Sequence, residues 1–285
     1  MEFDRTRIPI RERTFPDVLD LALSVTREHA GQLLGLLLLG AAPLIALNHW
    51  LLGIDLAPQL FDTEQPPEDV ARLWVGYIYA LSVLLVIEVP LATAPMTLYL
   101  GQALFVERVD WRRLGRDYLR NLPQMLFFQV VIRALAAPWI ISWFFMYSFW
   151  PYLSEVILLE NNPWRQKKSV ARLSTLARNR ALHGSNSGDL LARWLGAVLL
   201  GAVLVFSLTT TLWIVRCLLM EVDPSDLEFD SSLITIYLQA AIWLVIGYFT
   251  VVRFLSYLDL RIRSEGWELE LRMRAAATRL TRAPV

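Results

Sequence analysis

Trp143-Phe144-Phe145-Met146-Tyr147-Ser148-Phe149-Trp150-Pro151-Tyr152-Leu153-Ser154-Glu155-Val156-Ile157-Leu158-Leu159-Glu160 is an almost unbroken apolar and aromatic run. Asn161-Asn162-Pro163-Trp164 ends it. Arg165, Lys167, Lys168, Arg172, Arg178, Arg180 and Arg193 follow, opposed locally only by Asp189. An apolar run of this length that stops at a basic segment marks a membrane exit on the cytoplasmic side, where Lys and Arg are retained. The orientation of every other segment follows from this exit.

The rest of the chain agrees with that reading. Hydrophobic residues make up 55% of 285 and charged residues 19%, a balance that excludes an ordinary soluble domain. The net charge of zero conceals segregation. Residues 53–70 and 221–231 hold Asp55, Asp62, Glu64, Glu68, Asp69, Glu221, Asp223, Asp226, Glu228 and Asp230 and no base, so both are expected outside. Nearly all of the 27 bases fall in segments expected inside; the exceptions are Arg72, Arg133, Arg216 and Arg253. The bases are 25 Arg and two Lys, a bias common in GC-rich bacterial genomes. The fold class expected is an all-α, polytopic transmembrane bundle of about six spans with amphipathic interfacial helices.

Residues 1–30 form a polar N-terminal segment, expected in the cytoplasm. No cleavable signal peptide is visible, so the first span should be an uncleaved anchor. Pro16 suits the start of a helix, and Val18, Leu21, Ala22 and Val25 recur at helical spacing. This helix either lies on the inner leaflet or packs beneath the spans. Residues 31–257 should form the six-span bundle. Span one covers about 32–52, with Gly31 and Gly35 spaced for close helix approach. Residues 71–106 are too long for a simple crossing, since 36 helical residues reach about 54 Å. Pro90 and Pro95 should kink this helix, its last turns projecting inward, or else break it around a substrate site.

Trp111, Leu114 and Tyr118 share a face among Arg112, Arg113, Arg116 and Arg120, the pattern of a headgroup-level helix rather than a nucleic-acid contact. Residues 122–160 are long enough for two spans joined near Pro138, which would place Trp139, Trp143 and Trp150 in an outer aromatic belt. Residues 181–188 read as a polar loop. Spans five and six cover about 194–219 and 232–253. Residues 258–285 should be a cytoplasmic helix, although residues 268–274 alternate strictly and permit a strand.

Three passages carry a family resemblance: residues 152–160 with Lys168-Ser169-Val170-Ala171-Arg172-Leu173; Pro90-Leu91-Ala92-Thr93-Ala94-Pro95; and Tyr257-Leu258-Asp259-Leu260-Arg261-Ile262-Arg263-Ser264-Glu265-Gly266-Trp267-Glu268-Leu269-Glu270-Leu271. Together the chain resembles bacterial six-span membrane proteins similar to the membrane domain attached to some glycerophosphodiester phosphodiesterases. The resemblance implies an inner-membrane location and a six-span plan. It does not carry over the hydrolase chemistry, which belongs to a separate soluble barrel opened by a His-Arg pair. Here His29, His49 and His183 are followed by Ala30, Trp50 and Gly184.

Charges within the spans are the candidate functional residues, because burial there is expensive. They are Glu88, Arg133, Glu155 and Arg253, with Arg216 near the outer surface. Counted at about 1.5 Å per residue, Glu88, Glu155 and Arg253 lie within roughly 8 Å of the inner surface and Arg133 roughly 18 Å deep. The first three form either an ionic cluster that sets helix packing or a proton or cation relay. Arg133 should extend outward to the level of Trp139 and Trp143 or bond carbonyls freed by Pro138.

Catalytic, metal and cofactor sites are not expected. Cys217 is the single cysteine, and no Ser-His-Asp set, HExxH, paired CxxC or nucleotide loop occurs. The function expected is that of a non-enzymatic integral inner-membrane protein with both termini cytoplasmic. It would act through packing, lipid contact, or a membrane partner that includes a second copy of itself, with no nucleic acid. The alternative is a small transporter or channel with a site near Glu88, Glu155 and a helix break at Pro90 and Pro95.

Overall fold

The computed structural model describes residues 14–54, 56–62, 66–104, 109–164, 173–183, 187–220 and 233–265, and every regular element among them is helical. Four stretches are long and apolar enough to cross a membrane: Ala30–Gly53, Pro67–Ala103, Gly188–Leu219 and Thr235–Ser264. The first is α2 (Ala30–Asn48) with a π turn at His49–Gly53. The second is α4 (Pro67–Ala103), which follows the short α3 (Leu56–Gln59). The third lies in α10 (Ser187–Met220), and the fourth is α11 (Gln239–Glu265) with its leading π turn.

The other two expected spans are not uninterrupted helices. α5 (Trp111–Met125) passes through a π turn, Leu126–Val131, into α6 (Ile132–Ala136). After the turn at Pro138 come α7 (Ile140–Phe149) and α8 (Leu153–Glu160). Pro123, Pro138 and Pro151 explain the interruptions, since each removes a backbone donor and crowds the turn before it. Side chains satisfy the carbonyls exposed at the Pro138 turn. Ser142 Oγ donates to Ala136 O (2.5 Å) and Trp139 O (2.6 Å), Trp143 Nε1 to Ala137 O (2.8 Å), and Tyr79 OH to Pro138 O (2.6 Å). Such groups must be paired inside the protein where no water reaches them. The basic amphipathic stretch is the start of α5 itself. Asp110 caps it by accepting from the Arg112 and Arg113 amides (3.0 and 3.1 Å), and Trp111 stacks on Tyr99.

α4 is the central helix. It runs without a break through Pro90 and Pro95, and residues 92–100 are all buried. α2, α5, α8 and α11 pack around it. α8 is enclosed as well, with Leu153, Ser154, Glu155, Val156, Ile157 and Leu158 all buried, so its apolar residues on every face have partners. α10 lies at the edge: 6% of its most apolar window is buried, against 50% for α11. The N-terminal α1 (Phe15–Glu28) is packed against α11. Val18, Ala22 and Val25 are buried, and Tyr248 OH donates to Leu19 O at 3.0 Å.

Two other expectations change. The loop at residues 181–188 shrinks, because α9 (Thr175–His183) and α10 take up its ends. The close helix approach is not at Gly31 or Gly35, where an added Cβ meets nothing within 4 Å. It is at Gly40, where a Cβ would stand 2.1 Å from the Ala92 carbonyl oxygen of α4. Gly40→Ala is therefore expected to lower stability by about 1–3 kcal/mol, the usual cost of overpacking, while Gly31→Ala and Gly35→Ala change little. Thermal unfolding in detergent checks this. Equal melting of the three variants would remove Gly40 from the α2–α4 seam. Residues 266–285, with the helix-or-strand question at 268–274, and Arg165, Lys167, Lys168 and Arg172 lie outside the described residues.

Candidate functional site

The four intramembrane candidates do not form one cluster. Glu155, fully enclosed in α8, is bonded by Arg253 of α11, Nε to Oε1, at 2.6 Å. Glu88 belongs elsewhere. It is 5% exposed on α4, and Asn48 Nδ2 from α2 donates to its Oε2 at 2.9 Å. The error in the sequence reading is one of depth. Tyr99 OH and His29 Nδ1 are hydrogen-bonded at 3.1 Å, so Tyr99 is level with the beginning of α2. Glu88 lies eleven residues back along α4, roughly 16 Å from that level. The surplus length of α4 is therefore mostly at its Pro67 end, whereas the sequence reading had its last turns projecting inward and so placed Glu88 too shallow.

Arg133 is also resolved differently from expectation. It is 5% exposed on α6, and its Nη1 donates to the Val86 carbonyl of α4 at 3.1 Å. Val86 is four residues before Pro90, so its carbonyl is the one that Pro90 leaves without an amide donor. The arginine supplies that missing donor. It turns neither toward the turn at Pro138, whose carbonyls already have partners, nor outward to Trp139. The Tyr147 ring lies against its guanidinium, with Cζ 5.4 Å from the centroid. Arg133 is also within electrostatic reach of both Arg253 and Glu155. Arg216, at the far end of α10, stacks over Trp213 and Tyr237.

The basic exit has more counter-charge than the local sequence implies. Arg178 of α9 grips Glu160 at the end of α8 with Nε at 2.7 Å and Nη2 at 3.0 Å, a bidentate pair. Tyr257 OH (2.7 Å) and Asn162 Nδ2 (2.9 Å) donate to the same carboxylate. Arg193 joins Asp189 (3.0 Å) and the buried Asp259 (3.3 Å), which also takes Arg263 at 2.5 Å. Asn161, in the left-handed region at φ 51°, ends α8 and accepts from Asn121 Nδ2 at 2.9 Å. These contacts tie α5, α8, α9, α10 and α11 together at one end. Sequence reading passed over Asn48, Asp259 and Tyr147. Asn48 was legible as the one amide in the first apolar run beyond Gln32 at its start, whereas Asp259 and Tyr147 show their partners only in three dimensions.

A cleft of about 310 Å³ opens between α4, α7, α10 and α11. One end is polar, with Arg193, Arg253, Tyr152 and Ser256; the remaining wall includes Leu85, Val89, Ala197, Val198, Ile246 and Phe249. Tyr147 and Trp194, stacked with centroids 5.0 Å apart, stand on its rim. Neither Glu88 nor Glu155 lines it, and α4 is not unwound beside it. Family models, curated proteins and solved structures give no match to this chain.

Proposed function

We propose that this is a non-enzymatic, multi-pass protein of a bacterial cytoplasmic membrane, crossing it six times with both termini inside. It acts through helix packing, lipid contact and a membrane partner or second copy. α5 with α6 supplies the third crossing, and α7 with α8 the fourth. We extend the proposal to the bacterial six-span group named above, because two of the three passages that carry the resemblance meet in the pairs made by Glu155, Glu160, Tyr257 and Asp259. One observation carries the non-catalytic reading. Every intramembrane candidate makes a bond between helices: Glu88 to Asn48, Arg133 to Val86 and Glu155 to Arg253. The transporter reading needs a pathway past Glu88 or Glu155 and an unwound α4. The unbroken α4 and the lining of the cleft favour packing instead.

Topology is tested by single cysteines in a Cys217→Ser background. Cysteines at Asp62 and Asp226 should react with an impermeant thiol reagent in intact cells, and one at Ser185 should not. Labelling at Ser185 with silence at Asp62 would overturn the six-crossing arrangement with the N-terminus inside.

A further inference from the structure

We infer that the cleft between α4, α7, α10 and α11 is a phospholipid site, with the phosphate on Arg253 and an acyl chain along Val89, Ile246, Phe249 and Val198. This rests on the lipid-contact reading above in one respect, that the surrounding solvent is a bilayer. Arg253 carries the argument. Its Nε is bonded to Glu155, but its Nη2 is buried and has no partner among the described residues. A buried charged donor left unpaired is costly, and the bonded Glu155 leaves its Oε2 unpartnered as well. Arg253 lines the cleft, so a turn of its guanidinium toward the opening would set Nη2 against a phosphate oxygen there.

Charge points the same way. Glu155 is bonded to Arg253, while Arg133, near enough to feel both charges, bonds the Val86 carbonyl and lies against the Tyr147 ring. The cleft wall at Tyr147, Val86 and Arg253 therefore has an excess cation directly behind it. Arg193 adds less, because Asp189 and Asp259 hold it.

Shape decides which anion fits. From Arg253 to Ile246 the wall runs roughly 10 Å along α11 and is apolar except for Thr250, whose hydroxyl is bonded to the Ile246 carbonyl of its own helix; that is too long for a free phosphate and suited to a chain. Val198, on the edge helix α10, is 48% exposed, so the cleft opens sideways where lipid tails would lie. A polar pocket end below an apolar, laterally open slot matches an amphiphile that enters from the bilayer. A soluble anion would leave the slot empty.

The test is native mass spectrometry of the full chain, released from nanodiscs of phosphatidylglycerol and from mild detergent. The wild type should retain one phospholipid. Ala197→Phe fills the slot without altering charge and should lose it. Glu155→Gln with Arg253→Gln keeps a hydrogen-bonding pair but removes the cation. Its affinity should fall about tenfold, the worth of one charge-assisted hydrogen bond. Equal retention by wild type and Ala197→Phe would overturn the site. So would thermal stabilisation by inorganic phosphate equal to that by phosphatidylglycerol, or a peptide found in place of the lipid. If the double variant does not fold, judged by size exclusion, the Ala197→Phe comparison decides alone. The cysteine labels, read in intact cells expressing the protein, report topology independently. A correctly labelled protein without lipid therefore sinks the cleft and spares the six-crossing reading, and wrong labelling does the reverse.

Discussion

Arg253→Leu is expected to destabilise the protein by about 3–5 kcal/mol, the cost of leaving one member of a buried ion pair alone. Glu155 is 0% exposed, and Arg253 is its bonded partner at 2.6 Å. Once the guanidinium is gone, the carboxylate must stay charged in an apolar surround or take up a proton, and both are unfavourable. Arg216→Leu is the comparison. That guanidinium lies over the faces of Trp213 and Tyr237 at an end of α10, where a cation–π contact is worth about 0.5–2 kcal/mol. Removing both members of the pair, Glu155→Leu with Arg253→Leu, should recover most of the loss, because no charge is then stranded. The measurement is the melting temperature in detergent of the two single variants and the double variant. If Arg253→Leu and Arg216→Leu melt together, the pair does not hold α8 to α11.

Arg133→Glu is expected to abolish the folded, membrane-inserted protein. The variant would place a carboxylate against the Val86 carbonyl, so a hydrogen bond becomes a contact between two acceptors in a buried site. Arg133→Leu is gentler. It strands one backbone carbonyl, at about 1–3 kcal/mol, and relieves the burial of a cation at the same time. The specific check is Pro90→Ala. An alanine amide at position 90 would donate to Val86 O and close the helix without help from α6. Arg133→Leu should therefore cost less in the Pro90→Ala background than in the wild type, a coupling read from a double-mutant cycle of melting temperatures. Strict additivity of the two changes would mean that Arg133 does not serve as the donor missing at Pro90.

The linkage between Pro90 and Arg133 shows where reading the chain succeeded and where it failed. An arginine deep in an apolar run had to find a carboxylate, a carbonyl or water, and the proline-freed carbonyl was among the choices. The choice of proline was wrong. Pro138 is close in sequence, but its turn is already served by Ser142, Trp143 and Tyr79. Pro90 is on another helix, and only the packing of α6 on α4 brings its carbonyl within reach. Glu88 failed for a related reason. Residue counting measures distance along a helix, and without knowing how far α4 overshoots it cannot assign a common depth to two helices.

The sequence by itself determined the four long apolar helices, the turn near Pro138, and the segregation of acid from base. Those properties add up residue by residue along one segment. Burial of apolar surface, a missing proline donor and the cost of an unpaired charge need no knowledge of any other segment. The tertiary structure decided which charge meets which partner: Glu88 with Asn48, Glu160 with Arg178 and Tyr257, Arg133 with Val86. It also decided that Gly40 rather than Gly31 or Gly35 makes the close approach, and that a cleft opens beside Arg253. These pairings depend on the relative rotation and offset of helices distant in the chain. A shift of one residue turns a helix by about 100° and sends a side chain to a different neighbour, and no pattern within a single segment records that angle.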